Sequence, residues 1–217
     1  LQLVPIVHAE ALSLAAYFPI VWQVRNGEMV LCVLRSLLAG GLGHSVKPTH
    51  AGSGLPLVLR GFPVIVTAPT AGGDEIWIDD VVADQPTDVG APILMEDGRL
   101  SRGAAQRVQT IIRLRQAIDM THRLTEGLAS HRLLESWPLD LELAPGGQRI
   151  RFNDLMVIRP PASPDPDLIK HLREFGIEAA TFIAAHRISL FRISVLLQAA
   201  RAVTAKAALP PELEEAT

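Results

Sequence analysis

Runs of apolar residues separated by turn residues predict a mainly antiparallel β structure in the N-terminal half. Phe18–Val24 and Met29–Leu34 flank Asn26-Gly27, and both turn residues tolerate positive φ, so this segment predicts a tight hairpin. Pro63–Thr67 and Glu75–Asp80 predict a second hairpin, in which Pro63 can only begin its strand or lie at a sheet edge. The N-terminal half is therefore predicted to contain two β-hairpins.

Helical spacing dominates the chain before and after these hairpins. His8–Tyr17 has good helix formers and predicts a short helix that ends at Pro19. From Ser101 to about Leu134 the chain lacks proline, and its early apolar positions fall on one arc of a helix. The later apolar positions leave that arc. This change predicts either a break near Thr121 or one helix that contacts two different surfaces.

The C-terminal third begins with a third predicted hairpin, Leu139–Leu143 with Arg149–Ile158. After a proline-rich loop, Asp165 and Pro166 predict the cap and first turn of a helix that ends at Gly176. A further helix follows from Ile177 to about Val203, and its two thin polar stripes leave apolar surface on both sides. Such a helix is expected to pack against two partners.

We therefore predict an α+β fold in which antiparallel hairpins pack on the long helix and on a buried, central C-terminal helix. The central helix is expected between the β layer and the helix of residues 101–134. Residues 1–206 are expected to form a single domain, with a β-rich lobe over about 1–85 and a helical lobe with one hairpin over about 100–206. The acidic, proline-containing tail 207–217 is expected to be disordered.

Composition narrows the function classes. The 217-residue chain is 48% hydrophobic and carries a formal net charge of −3, so it has no global positive field for nucleic acid. The longest uncharged stretch, Ala11–Val24, contains Pro19 and is too short for a transmembrane helix, so no transmembrane segment is expected. The chain begins at Leu1, and the sequence is therefore silent on an upstream signal peptide. The single cysteine, Cys32, lies in an apolar run, predicts a buried thiol and requires no oxidising compartment, which favours the cytoplasm.

Known catalytic and cofactor motifs are not found in the sequence. Gly52-Ser53-Gly54 lacks the glycine spacing of a nucleophile elbow. The seven histidines show no recognised ligand spacing, and His44 and His50 are only the least unfavourable metal pair. The arginines of residues 99–132 spread around the predicted helix and form no stripe. No catalytic residue, metal or cofactor is therefore expected.

The order of several short motifs resembles the bacterial SapC family. The motifs are Val4-Pro5-Ile6-Val7, Ala16-Tyr17-Phe18-Pro19-Ile20-Val21-Trp22, Leu59-Arg60-Gly61-Phe62-Pro63 and Glu75-Ile76-Trp77-Ile78-Asp79-Asp80. The long helix, the third hairpin and the final helix with His186 are similar to the C-terminal half of that family. Where such proteins tend to show Ser-Leu-Gly-Asn, this chain has Ser189-Leu190-Phe191-Arg192. The resemblance covers roughly residues 3–203.

Two functional hypotheses follow. The resemblance implies a bacterial accessory protein associated with the cell surface layer, without catalysis, and the apolar helix surfaces predict a homodimer or another protein partner. The second hypothesis is a small-ligand-binding protein or an undescribed enzyme with a pocket between the β layer and the central helix. Its ligand-binding residues would be Arg60, Trp77, Asp79 and His186, which come from separate segments. For His186, the alternative is a core or interface histidine.

Overall fold

The computed structural model describes residues 1–41, 54–66, 76–79, 92–143 and 147–207. Within these ranges the helices are α1 (Ala11–Leu14), α2 (Leu57–Gly61), α3 (Arg102–Ser130), α4 (Pro166–Ser189) and α5 (Ile193–Ala207). The strands are β1 (Leu3–Pro5), β2 (Ile20–Arg25), β3 (Glu28–Leu34), β4 (Val64–Val66), β5 (Ile76–Ile78), β6 (Leu134–Ser136), β7 (Leu139–Glu142), β8 (Arg149–Phe152) and β9 (Leu155–Ile158). The predicted α+β class, with antiparallel sheets and a long C-terminal helix, is confirmed.

The main sheet has five antiparallel strands in the order β1-β3-β2-β9-β6. Its centre is the first predicted hairpin, β2–β3, in which Asn26 (φ 51°) and Gly27 (φ 85°) form the two-residue turn. Positive φ at both positions gives the turn the twist that matches the two strands. The second predicted hairpin is confirmed as the pair β4–β5, with Val64 opposite Ile78.

The third predicted hairpin is only partly correct. Leu139 pairs with Phe152 and Glu142 with Arg149, as expected for β7 and β8. The continuation does not belong to that hairpin, because Leu155–Ile158 forms the separate strand β9 between β2 and β6. Leu155 is fully buried, so pairing in the centre of the main sheet removes more apolar surface from water than a longer hairpin would.

Alternating residues of the main sheet build two different hydrophobic clusters. Ile20, Trp22 and Val33 face the cluster that α1, the end of α3 and α4 complete. Val21 and Cys32 face the opposite cluster, which β7, β8 and α5 complete. The period of two along a strand thus places one half of the core on each face of the sheet.

Helix α3 is continuous for 29 residues, and the Ser101 side chain caps it by accepting from the Ala104 N–H. Near its start, Val108 and Ile111 pack with Val64 of β4. Near its end, Leu124 and Leu128 belong to two other clusters. The prediction of one helix on two surfaces is therefore correct, and the predicted break near Thr121 is absent.

Helix α4 begins as predicted, with the Asp165 carboxylate accepting from the Leu168 N–H at 3.1 Å and Pro166 in the first turn. Gly176 (φ 66°, ψ −144°) has a non-helical backbone, so the first helical segment of α4 ends there as predicted and a second segment follows after a kink. The second segment continues through a 3-10 turn at Leu190–Arg192 into α5. One face of this rod is buried, first against one side of the main sheet and then against the other.

The prediction that this C-terminal helix is covered on both sides is wrong. Ile177, Ile188 and Phe191 on its outer flank are 79%, 60% and 78% exposed. The sequence does carry two apolar stripes, but the sheet and α3 lie on the same side of the helix. The tail 208–217, the segment 80–91 and most of the glycine-rich loop 39–54 lie outside the described residues.

Candidate functional site

A cavity of about 530 Å³ lies between the main sheet and α3; we call it the edge cavity. The sheet side contributes the end of β1 with the residues after it and the first half of β3, and α2 adds Val58. Helix α3 supplies the opposite wall through Leu114 and Ile118. This volume lies within the range of small-molecule and peptide pockets. The walls are mainly apolar, so burial of apolar surface would supply most of the binding energy.

Two buried threonines of α3, Thr121 and Thr125, contribute polar groups at one end of the edge cavity. The Thr125 hydroxyl accepts from the Trp22 indole N–H at 3.1 Å. The Thr121 hydroxyl donates to the Ala117 carbonyl at 2.6 Å and accepts from the His8 backbone N–H at 3.1 Å. Burial lowers the pKa of His8, whose ring also contacts Thr121. These bonds link the cavity wall to the core tryptophan and to the N-terminal segment.

Charged groups stand at the mouth of the edge cavity. Glu126 and His122, both exposed on α3, line it, and the exposed Glu28 lines it at the start of β3, with its side chain on the face of the strand opposite to that of Met29. No arginine or lysine is among the residues that line this cavity in the described part of the chain. The mouth therefore favours a cationic or neutral group over an anion.

The predicted ligand-binding residues do not converge on one cavity. Arg60 lies at the surface and lines a groove of about 790 Å³ with the α3 residues Arg102, Arg107 and Arg113. Trp77 is 56% exposed on β5, and Asp79 follows that strand, where its N–H donates to the Pro63 carbonyl at 2.9 Å. Both residues lie outside the edge cavity and this groove.

His186 is completely buried in the core and reaches no solvent-accessible cavity. Its ring lies 5.3 Å from that of Trp22, and neither ring nitrogen has a hydrogen-bond partner among the described residues. Burial, followed by the neighbouring Arg187 charge, lowers the pKa of His186 to about 3. His186 therefore lacks the accessibility that the predicted four-residue site requires, and ligand binding by Arg60, Trp77 and Asp79 stays a prediction.

One pair of buried histidines joins the C-terminal end of α3 to α4. The Nδ1 atoms of His131 and His171 are 3.3 Å apart, and the His131 Nε2 lies 3.5 Å from the exposed Glu174 carboxylate. Burial and the nearby His131 lower the pKa of His171. Across the residues that the structure describes, no group of three or more histidine, cysteine, aspartate or glutamate side chains is arranged to hold a metal ion.

The uncovered flank of the C-terminal helix is the second candidate site. Its positions follow alternating steps of four and three residues, which keep them on one line along a helix. We call it the outer stripe; it consists of Ile177, Thr181, Ala184, Ile188, Phe191 and Val195. The first five are exposed and Val195 is half-buried. Pro166–Lys206 is also the one described helix that is long and apolar enough for a membrane span, a test that core helices pass as well.

Sequence reasoning missed the edge cavity and found only half of the outer stripe. The cavity joins residues of β1 and β3 to α3 residues that lie more than eighty positions further along the chain, and no local motif marks such a contact. The outer stripe was visible as one of two apolar faces. The helical spacing of its residues predicted an apolar face, but the sequence did not show that this face is exposed.

The fold and these two sites define an α+β protein with a sheet–helix cavity and an unpartnered helix flank. The SapC family model matches residues 1–193, and the chain belongs to this family. Neither a curated protein nor a solved structure matches the chain.

Proposed function

We propose that this SapC-family chain is a non-catalytic interaction protein that associates with a second copy of itself through the outer stripe. The observation that carries the proposal is the exposure of Ile177 (79%), Ile188 (60%) and Phe191 (78%) on one line of one helix. Large apolar side chains in one contiguous exposed patch mark interaction surfaces, whereas scattered ones need no explanation.

The spacing of the outer stripe fits a helix-on-helix contact. Alternating steps of four and three are the a/d pattern by which two helices interlock their side chains. The pattern runs through the 3-10 turn Leu190–Arg192, because the backbone before and after that turn keeps helical φ and ψ. Ile177 and Val195 stand near its ends, so about five helical turns are available for the contact.

The charges beside the stripe favour an antiparallel pair. In a two-fold pair centred near residue 186, the small Ala184 would face Ile188 of the second copy, and Thr181 would face its Phe191. Glu178 and Arg192 flank the stripe on the same side, 14 residues or two heptads apart. Each Glu178 would then meet Arg192 of the second copy, and symmetry forms this ion pair twice.

The first test is the oligomeric state, measured by size-exclusion chromatography with light scattering at several concentrations. We expect the wild-type chain to be a dimer and Ile188→Glu to be a monomer, because it places a charge in the centre of the contact. Ile169→Glu is the matched control, since Ile169 is 46% exposed on α4 but lies off the stripe. A wild-type chain that stays monomeric at about 0.1 mM would refute self-association.

A charge swap tests the antiparallel arrangement separately. Glu178→Arg and Arg192→Glu should each weaken the dimer by about two- to fivefold, the range of a surface ion pair formed twice. The double variant should restore wild-type dimerisation, because the pairs re-form with opposite polarity. If the double variant is as weak as the sum of the single variants, the copies pair in another register.

The surface-layer role remains a proposal that only the family supports. The non-catalytic assignment rests on a sequence in which no recognised catalytic motif occurs. The second candidate function, binding of a small ligand, is favoured by a specific observation, the edge cavity of about 530 Å³ between sheet and helix.

A further inference from the structure

One wall of the edge cavity contains a strand edge that is only partly paired. β1 pairs with β3 from Leu34 back to Cys32, and its last contact is the Ile6 N–H donating to the Leu31 carbonyl at 3.0 Å. The chain then turns away from the sheet through the 3-10 turn at His8–Glu10. β3 begins at Glu28, so its first residues extend beyond the end of β1.

The backbone of Met29 points to this open side. Met29 stands opposite Val24 in the β2–β3 ladder, and the Val24 N–H donates away from β3, to the Asp154 carbonyl. In an antiparallel ladder, such pairs direct their N–H and C=O groups outward. The next outward residue, Leu31, is the one that accepts from Ile6. Met29 therefore presents a donor and an acceptor beyond β1, in the wall of the edge cavity.

The opposite wall would contact one face of a strand placed there. Met29 and Leu31 point their side chains into the same cluster as Trp22, toward α3. A strand on this edge would place every second side chain on that face, against Leu114 and Ile118. Thr125 adds a buried hydroxyl at the inner end, which accepts from Trp22 and has no acceptor for its own proton among the described residues.

The negative charge of Glu28 at the edge of β3 favours basic residues at the peptide positions that point away from α3. Glu28 precedes Met29, so its side chain points to the other face of the strand, and it is exposed. A basic residue on the added strand would lie across from Glu28, and opposite charges in such cross-strand pairs are stabilising. Glu126 at the cavity mouth adds a second negative charge.

We infer that the edge cavity binds a short extended peptide of alternating apolar and basic residues, which adds to the edge of β3 at Met29. Main-chain hydrogen bonds to a free strand edge give affinity, and the pocket for alternate side chains gives selectivity. This inference deepens the second candidate function, since it names the ligand class of that cavity. It does not depend on the outer stripe.

The test uses isothermal titration calorimetry with the peptide acetyl-Val-Lys-Val-Lys-Val-amide and the full chain. We expect binding, with a chemical-shift change of the Met29 amide in nitrogen–proton NMR spectra. Methylation of the central Val nitrogen removes one strand hydrogen bond and should weaken binding at least fivefold. The same peptide with Glu in place of Lys should bind more weakly still.

Protein variants locate the site. Ile118→Trp fills the cavity and should reduce affinity at least tenfold, whereas Ile169→Trp, at a similarly exposed isoleucine of α4, should leave it unchanged. Circular dichroism confirms that both variants fold. Equal binding of the methylated peptide, or no binding at millimolar peptide, would overturn the strand model. If a neutral apolar dye such as Nile red binds the cavity while the peptide does not, ligand binding survives and the peptide inference fails.

Discussion

Glu10 is the clearest case of a residue whose role appears only in three dimensions. Its side chain is buried, with 6% exposure for the residue, and its two carboxylate oxygens accept from the backbone N–H groups of Val7 and Leu57. Burial raises the pKa of this carboxyl, and the two hydrogen bonds and Arg60 oppose that rise. Leu57 begins α2, so one carboxylate joins the N-terminal segment to a helix 47 residues away.

Loss of this carboxylate should destabilise the fold. We expect Glu10→Ala to lower the free energy of unfolding by about 2–4 kcal/mol, because two backbone N–H groups lose their acceptors. Glu10→Gln should cost less, since the amide retains one acceptor oxygen. Urea denaturation followed by circular dichroism measures both values. Glu28→Ala at the exposed start of β3 is the control, and equal stability of the two alanine variants would contradict the assigned role.

At the scale of elements, close packing of α3 on α4 depends on one glycine. A Cβ on Gly127 would stand 2.5 Å from the Phe175 ring and 3.1 Å from His171, both buried. Because neither ring has room to move in a close-packed core, only hydrogen fits at this position. Gly103 in the first turn of the same helix differs, because a Cβ there would meet only the flexible end of Arg107, at 3.3 Å.

These two glycines provide a matched pair of substitutions. Gly127→Ala should lower the free energy of unfolding by about 1–3 kcal/mol through overpacking, despite the better helix propensity of alanine. Gly103→Ala should be neutral or stabilising by up to about 1 kcal/mol, because propensity acts there without a clash. Thermal and urea unfolding test this contrast. A stabilised Gly127→Ala variant would show that α3 and α4 are farther apart than described.

The apolar pattern of the C-terminal helix does not determine which of its two faces is buried. Two thin polar stripes divide its apolar surface into two faces. The face with Phe182, Ala185 and Leu196 is buried, and the outer stripe is uncovered. An apolar stripe predicts that burial of that face is favourable, but it does not identify the element that packs on it. Here the sheet and α3 both pack on the same side of the helix.

In the molecule as a whole, one partly buried and two fully buried histidines couple stability to pH. Burial lowers the pKa values of His8, His171 and His186 below their ordinary value. In the unfolded chain these groups take up protons near pH 6.5, so the unfolded state binds more protons than the folded state below that pH. Their stabilising contribution is complete above about pH 6.5 and is lost progressively as the pH falls. Glu10, whose pKa is raised, contributes with the opposite sign. Its contribution to stability falls as the pH rises above the ordinary carboxyl pKa of 4.5.

We therefore expect the free energy of unfolding to fall between pH 7 and pH 5. His186→Phe should flatten this dependence by up to about 1.4 kcal/mol per pH unit, which is the effect of one proton. Urea denaturation at half-unit pH steps gives both slopes. Phe182→Leu, which changes a ring packed on Trp22 as His186 is but removes no titratable group, is the control and should keep the wild-type slope. An unchanged slope in His186→Phe would show that His186 is protonated in the folded state.

The local structure of this protein could be predicted from its residues alone. The Asn26-Gly27 turn, the Asp165 cap with Pro166 and the length of α3 follow from backbone preferences and from spacing within a few residues. Even the α+β class and the SapC resemblance came from the order of such signals.

Which surfaces contact one another was visible only in the folded chain. Leu155–Ile158 pairs in the main sheet and not in the predicted hairpin. His186 is buried away from the exposed Arg60, and the outer stripe is exposed. Met29 lies opposite α3 in the edge cavity. Each of these outcomes depends on segments far apart in the chain, and the free energy of their docking comes from apolar area that only the assembled fold defines.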